Sequence, residues 1–417
     1  MVKAICLTLP RQNIRLLIIR PIMNAEDFKD IAPYPQSLFK EKINELVEEP
    51  GFIRAIKYVL PEEAIPAVLS EMKNISSTDE FQQKIMLPFL DMLAKKTTAG
   101  ISATGMDNCN KEVNYAYMSN HRDIVLDASF LNVCLTDNDF PSCEIALGDN
   151  LLIYPWIEKL VKLNKGFIVK RNLRLIQAFE AAKQLSGYIR YCIDTQHHSI
   201  WIAQREGRAK DSSDRTQESV VKMLALSGGK DVIATILDLN ICPVTISYEL
   251  DPNDYLKAQE FLLREKDPDF QKSQHDDLLS METGLLGYKG RVHVHLSGSI
   301  NDEIALLDPE MDRTEIFPRI CNIIDNKIHR GYKIFPINYI CFDRINNTDR
   351  FKGKYTSDDI EAVDKYIENQ LKKVRLEHPT EADFAFMREK MMVMYSNPLN
   401  NLLQATETKR LMLMFKG

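Results

Sequence analysis

The sequence predicts an α/β fold flanked on both sides by helical regions, and three observations carry that prediction. From about residue 112 to 300, short β-rich runs alternate with helical ones. Outside that stretch, apolar residues recur at three- and four-residue spacings. With 417 residues, the chain is two to three times the usual domain length of roughly 150, enough for a sizeable core or several subdomains.

The elements follow in order. Residues 1–100 read as mainly helical, from Phe39–Val47, Phe52–Leu60 and Phe81–Leu93, and carry no chemical motif. Strands are expected at Val113–Met118, Gly166–Val169, Ser199–Ala203, Ile241–Tyr248 and Arg291–Leu296. After 300 the helices return. The clearest opens on Thr356-Ser357-Asp358-Asp359, a capping-box-like start that feeds Ile360, Val363, Ile367 and Leu371 along one face. This tail is expected to be packing or partner surface. There is no internal repeat and no low-complexity segment.

Composition excludes several classes. Apolar residues at 45% and charged residues at 27% describe a chain that folds. Lys plus Arg (53) against Asp plus Glu (59) leaves a formal charge of -6 without a single-sign block, which argues against a general nucleic-acid binder. Eight cysteines show no Cys-x-x-Cys and no regular spacing, as expected of reduced thiols in a cytosolic protein. Near the N-terminus the apolar run Ile14–Met23 is broken by Arg15 and Arg20, with no cleavage site after it, so no export is implied. No apolar stretch reaches the length of about 20 residues that a membrane span needs, so a bilayer would be met from the side.

Chemistry concentrates at Tyr117-Met118-Ser119-Asn120-His121-Arg122-Asp123-Ile124-Val125-Leu126-Asp127, where an apolar strand runs into polar residues and then into an apolar helix. An imidazole held at such a turn can take a proton from a hydroxyl near neutral pH, provided a carboxylate fixes its tautomer. Asp127 or Asp123 is a candidate for that carboxylate. The plainer alternative makes Ser119, Asn120 and Asp123 helix caps and His121 a polar turn residue.

Three further segments bear on the choice. Lys165-Gly166-Phe167-Ile168-Val169-Lys170-Arg171 is a strand delivering a guanidinium, which grips phosphate oxygens in two-pronged fashion. Ile202-Ala203-Gln204-Arg205-Glu206-Gly207-Arg208-Ala209-Lys210 is a cationic turn whose glycine lets backbone approach a ligand. Ile241-Cys242-Pro243-Val244-Thr245-Ile246-Ser247-Tyr248-Glu249 is a β run in which Pro243, unable to donate to the ladder, should open the strand or sit on an edge.

Together, in this order, the four segments resemble the motifs of the glycerolipid acyltransferase superfamily, which includes glycerol-3-phosphate and 1-acylglycerol-3-phosphate acyltransferases. The family's first motif is a histidine, four residues, then an aspartate. Here Leu126 occupies the aspartate's place, so the role falls to Asp127, favoured, or to Asp123. The glycine of the second motif is one position closer to Arg171 than usual, and the third places Arg208 two and Lys210 four residues after Glu206. The resemblance covers roughly residues 112–300, leaving 1–100 and 301–417 as helical flanks around an acyltransferase domain at 101–300.

The resemblance implies an acyltransferase-type mixed sheet with covering helices. It also implies an enzyme that moves a fatty acyl group from acyl-CoA or acyl carrier protein to a hydroxyl of glycerol-3-phosphate or 1-acylglycerol-3-phosphate in phospholipid biosynthesis. His121 with its aspartate would be catalytic. Arg171, Glu206, Gly207, Arg208, Lys210 and Pro243 would bind substrate. No cofactor beyond the acyl thioester and no metal is implied. The partners implied are an acyl donor, a glycerol phosphate or lysophospholipid acceptor and a membrane surface, with peripheral attachment of a cytoplasmic protein through an apolar face of the flanking helices. The run ending Ile246-Ser247-Tyr248-Glu249 and the long flanks lean toward glycerol-3-phosphate as acceptor. Another lipid acceptor, or a non-catalytic lipid-binding protein of the same fold, is the alternative.

Other signals carry less. His293 and His295 share a strand face but have no third ligand nearby. Gly284, Gly287 and Gly290, like Gly228-Gly229-Lys230, read as turns, since they lack the order of nucleotide-binding loops. No Gly-x-Ser-x-Gly elbow offers a serine nucleophile.

Overall fold

The computed structural model describes residues 24–414, with side chains given as far as Glu407. The run Ile14–Met23 lies outside the described residues. Seven strands form one sheet: β1 (Ile101–Thr104), β2 (Ala116–Ser119), β3 (Glu144–Gly148), β4 (Gly166–Val169), β5 (Ile200–Ala203), β6 (Ile241–Tyr248) and β7 (Val292–Leu296). Their order is β1-β7-β6-β2-β5-β3-β4. Every neighbouring pair is parallel except β6 and β7, so the sheet is mixed.

The main helices are α1 (Gln36–Glu48), α2 (Pro50–Val59), α3 (Ile65–Asn74), α4 (Leu87–Thr97), α5 (Leu126–Asp137), α6 (Pro155–Leu163), α7 (Leu175–Tyr191), α8 (Glu218–Leu224), α9 (Asp254–Lys266), α10 (Gln274–Leu286), α11 (Arg313–Arg330), α12 (Pro336–Ile345), α13 (Ser357–Leu371) and α14 (Glu381–Met414). Thr356 and Asp359 form the capping box at the start of α13.

The central strands are buried on both faces, and alternation along them feeds two layers. Ala116, Met118, Ile200, Ile202 and Ile241 face Leu185 and Ile189 of α7 and Ile320 and Ile324 of α11. Tyr115, Tyr117, Trp201 and Cys242 face Ala128, Leu131 and Leu135 of α5. Each large apolar side chain fully buried in this way contributes about 1.5–3 kcal/mol.

The flanks pack on this frame. Phe39, Ile43, Phe52, Ile65 and Met72 of α1–α3 close over Leu163 of α6. Ala258 and Leu262 of α9 share a core with Phe335, Ile340, Ile367 and Met391 of the C-terminal helices. Among the described residues no helix is long and apolar enough to cross a membrane.

Two local expectations are overturned. Pro243 neither opens a strand nor lies on an edge: it is the third residue of β6, between β2 and β7, opposite Met118. Its carbonyl accepts from Ser297 N at 3.0 Å, just past the end of β7. The donor it lacks therefore falls where the β7 ladder has stopped. Gly284 is not in a turn but inside α10, where a Cβ would come within 2.0 Å of Asp123 Oδ2. Only glycine lets that helix press against the aspartate.

Candidate active site

His121 sits just beyond the C-terminal end of β2, at the carboxyl edge of the sheet where open α/β folds collect ligands. The turn that holds it is pinned from three sides. Asn120 donates through Nδ2 to Ile246 O (3.0 Å) and accepts from Ile246 N (2.8 Å), which stitches the turn to β6. Trp201 Nε1 donates to Ser119 Oγ (3.0 Å), and Ala209 N donates to His121 O (3.2 Å). The Trp201 ring meets the imidazole edge to face at 5.9 Å.

Geometry separates the two aspartates. Asp127 lies in the first turn of α5 and turns back so that Oδ2 is 2.8 Å from His121 Nδ1, while accepting the amides of Arg122 (2.7 Å) and Asp123 (3.1 Å). A carboxylate so placed also complements the helix N-terminus. Side-chain exposure is 14% for His121 and 1% for Asp127, so the pair is shielded but reachable. Asp123 faces away: Oδ1 accepts the amides of Val125 (2.9 Å) and Leu126 (2.8 Å), organising the entry into α5. Burial, then the nearby Asp127 charge, pushes the Asp123 carboxyl up.

The other oxygen of Asp127 accepts from Tyr248 Oη at 3.0 Å. Burial, then the Asp127 and Asp123 charges, pushes the Tyr248 phenol far above its usual range, so it remains a donor.

His121 opens onto a cleft of about 500 Å³. At one end stand Arg171, Arg205 and Glu206. Arg171 Nη1 lies 3.5 Å from Glu206 Oε1. The Nε atoms of Arg171 and Arg205 are buried without a hydrogen-bond partner, an arrangement suited to an anionic ligand. Lys170 also lines the cleft, but its ammonium is tied to Asp30. Gly148, at the end of β3, gives the guanidinium its place: a Cβ there would meet Arg171 Nε at 2.6 Å. The other wall is apolar, built from Leu147, Leu151 and Val169 with Ala178, Ala182 and Leu185 of α7 and Val220 and Met223 of α8.

The remaining expected binding residues are placed differently. Gly207 has φ +68 with open space beside it, so its value is conformational. Arg208 is not among the cleft-lining residues; its charge bears on Asp123, Asp251 and Lys257 behind the turn. Lys210 is paired with Glu260, and burial lowers its ammonium. Pro243 is buried in the sheet, away from the cleft lining. Arg205, not singled out from the sequence, lines the cleft. Arg205 lies just past the end of β5, as Arg171 lies just past the end of β4.

The C-terminal helices support the turn from behind. Arg122 Nη2 donates to Asp214 Oδ2 at 2.6 Å, and Asp214 also receives the Tyr332 hydroxyl. Lys257 Nζ donates to Arg122 O (3.0 Å) and pairs with Asp251. Among the described residues no three His, Cys, Asp or Glu side chains gather to hold a metal ion.

Residues 100–247 match the family described as Acyltransferase. A solved structure with a similar course is the 1-acyl-sn-glycerophosphate (LPA) acyltransferase PlsC from Thermotoga maritima, at 12% identity and a TM-score of 0.34, covering 71% of this chain and 94% of that one. No curated protein matches the chain.

Proposed function

We propose, from the match of residues 100–247 to the family described as Acyltransferase and the resemblance of their motifs to the glycerolipid acyltransferases, that this enzyme moves a fatty acyl group from an acyl thioester to a hydroxyl of glycerol-3-phosphate or 1-acylglycerol-3-phosphate. The observation that carries the reading is the His121–Asp127 pair, 2.8 Å apart, opening onto a cleft with guanidiniums at one end and an apolar wall along it.

Asp127 accepts a hydrogen bond from Nδ1–H, which keeps that proton on the ring and leaves the Nε2 lone pair of His121 for the cleft. Arg171 and Arg205 hold the acceptor's phosphate, which brings its hydroxyl to the imidazole and removes much of the entropic barrier of a two-substrate reaction. As Nε2 takes the hydroxyl proton, the oxygen attacks the thioester carbonyl. The tetrahedral intermediate collapses to the new ester and expels the thiolate, which recovers the proton from the imidazolium. The thioester is acyl-CoA or acyl carrier protein, and the acyl chain lies along the apolar wall. A product that belongs in a bilayer makes a membrane surface the natural partner of a peripherally attached, cytoplasmic enzyme.

The test supplies a labelled acyl thioester with each acceptor in turn. Transfer to one of them, abolished in His121→Ala with the fold retained, is the expected result. Unchanged turnover in the variant rejects the role of His121, and transfer to neither acceptor rejects the substrate class.

A further inference from the structure

The first two turns of α7 carry apolar side chains that are largely exposed among the described residues. Leu175 is 92% exposed, Ile176 81% and Phe179 55%, while Leu185–Arg190 of the same helix is buried in the core. Elsewhere among the described residues the large exposed apolar residues come singly, as Tyr58 on α2 and Leu306 before α11 do. At about 100° per residue, the arc holding Leu175, Phe179 and Ile176 begins where the arc of Ala178 and Ala182 ends. Those two alanines line the cleft. A single apolar surface therefore runs from the outside of the molecule into the site.

Its surroundings are cationic. Residues 172–183 hold Arg174 and Lys183 against Glu180 alone, in a chain of net charge -6. Long cationic side chains bordering an apolar face settle at the headgroup level of an anionic leaflet, with their stems along the apolar boundary. A second copy of the same face would bring these like charges together.

We propose that the N-terminal half of α7 docks on an anionic lipid bilayer and that a fatty acyl chain passes along this face into the cleft. The docking stands on the exposed face and its charges; the passage of the acyl chain rests on the acyl-transfer reading. The surface belongs to the acyltransferase domain and not to the helical flanks.

The test is flotation of the full chain with phosphatidylcholine vesicles, with and without phosphatidylglycerol. Wild type is expected to float with the anionic vesicles. The triple variant Leu175→Ser, Ile176→Ser, Phe179→Ser should lose on the order of tenfold or more in partitioning. Arg174→Glu should weaken binding to the anionic vesicles only. Melting temperature, sedimentation mass in buffer and transfer of a short soluble acyl thioester should be unchanged in the triple variant. Equal flotation of variant and wild type overturns the proposal. So does a variant that melts lower or changes mass without lipid, because its own chain or a second copy then covers the face. If flotation depends on the three residues while wild type transfers no acyl group, the docking surface stands and the acyl-transfer reading falls.

Discussion

The hydroxyl of Tyr248, at the end of β6, donates to Asp127 Oδ1 at 3.0 Å, so both oxygens of the carboxylate facing His121 are fixed. Tyr248 is not among the cleft-lining residues and acts through the aspartate. Tyr248→Phe removes one hydrogen bond to a charged group. The expected result is a kcat lower by about tenfold, with KM for the acceptor within about twofold. A change in KM alone would place Tyr248 in substrate binding instead.

Substitution tells the two aspartates apart. In Asp127→Asn an amide can present its N–H to Nδ1 and favour the wrong tautomer, so turnover should fall by about 10³ to 10⁴, as when a histidine loses its orienting carboxylate elsewhere. Asp123→Asn keeps an oxygen for the Val125 and Leu126 amides and replaces a carboxyl whose affinity for protons is already raised. Its turnover should stay within about fivefold of wild type. Equal losses in the two variants would contradict the division of roles.

How far the sequence was legible follows from what each feature depends on. β4 and β6 fall where their apolar runs are, because buried strands are continuous in hydrophobicity. β1 and β3 escaped notice. β1 is a four-residue edge strand that alternates between half-buried and exposed, and β3 pairs with β5 through Glu144 and Ile145 only. His121 was legible from the break between strand and helix. Choosing between Asp123 and Asp127 required knowing where α5 begins, which is set by the turn's dihedral angles. Arg205 and Arg208 both lie in the irregular segment after β5, where no strand period tells which side chain reaches the cleft.

The site of Arg171 is shaped by a missing side chain. An alanine Cβ at Gly148 would meet Asn150 Oδ1 at 2.5 Å and Arg171 Nε at 2.6 Å. Its backbone conformation is ordinary for any residue (φ -69, ψ 137), so the cost falls on the movable guanidinium and not on the strand. Gly148→Ala should therefore melt within about two degrees of wild type. It should raise KM for the phosphate-bearing acceptor by about tenfold with kcat little changed, the signature of lost ground-state binding. Steady-state kinetics with varied acceptor measures this, and an unaltered KM would remove Arg171 from phosphate binding.

Stability should fall with rising pH across the range where Asp254 titrates. This carboxyl, at the head of α9, is raised to about 7 by burial and by the charge of Asp251, against hydrogen bonds from Tyr395, Tyr366 and Gln370. In the unfolded chain it titrates at the ordinary value of about 3.9. Between these values the unfolded state releases the proton and the folded state keeps it, so each pH step favours unfolding. The stabilisation is complete below about 4, is lost progressively up to about 7, and stays lost above. Asp254→Asn keeps an oxygen for Gln370 Nε2 and the Tyr255 amide and carries no charge. The variant should gain on wild type at pH 8 and lose that advantage at pH 5. Thermal melts of both proteins at the two values check the sign, and an advantage that does not change with pH would mean that Asp254 shares a partner's charge instead of keeping its proton.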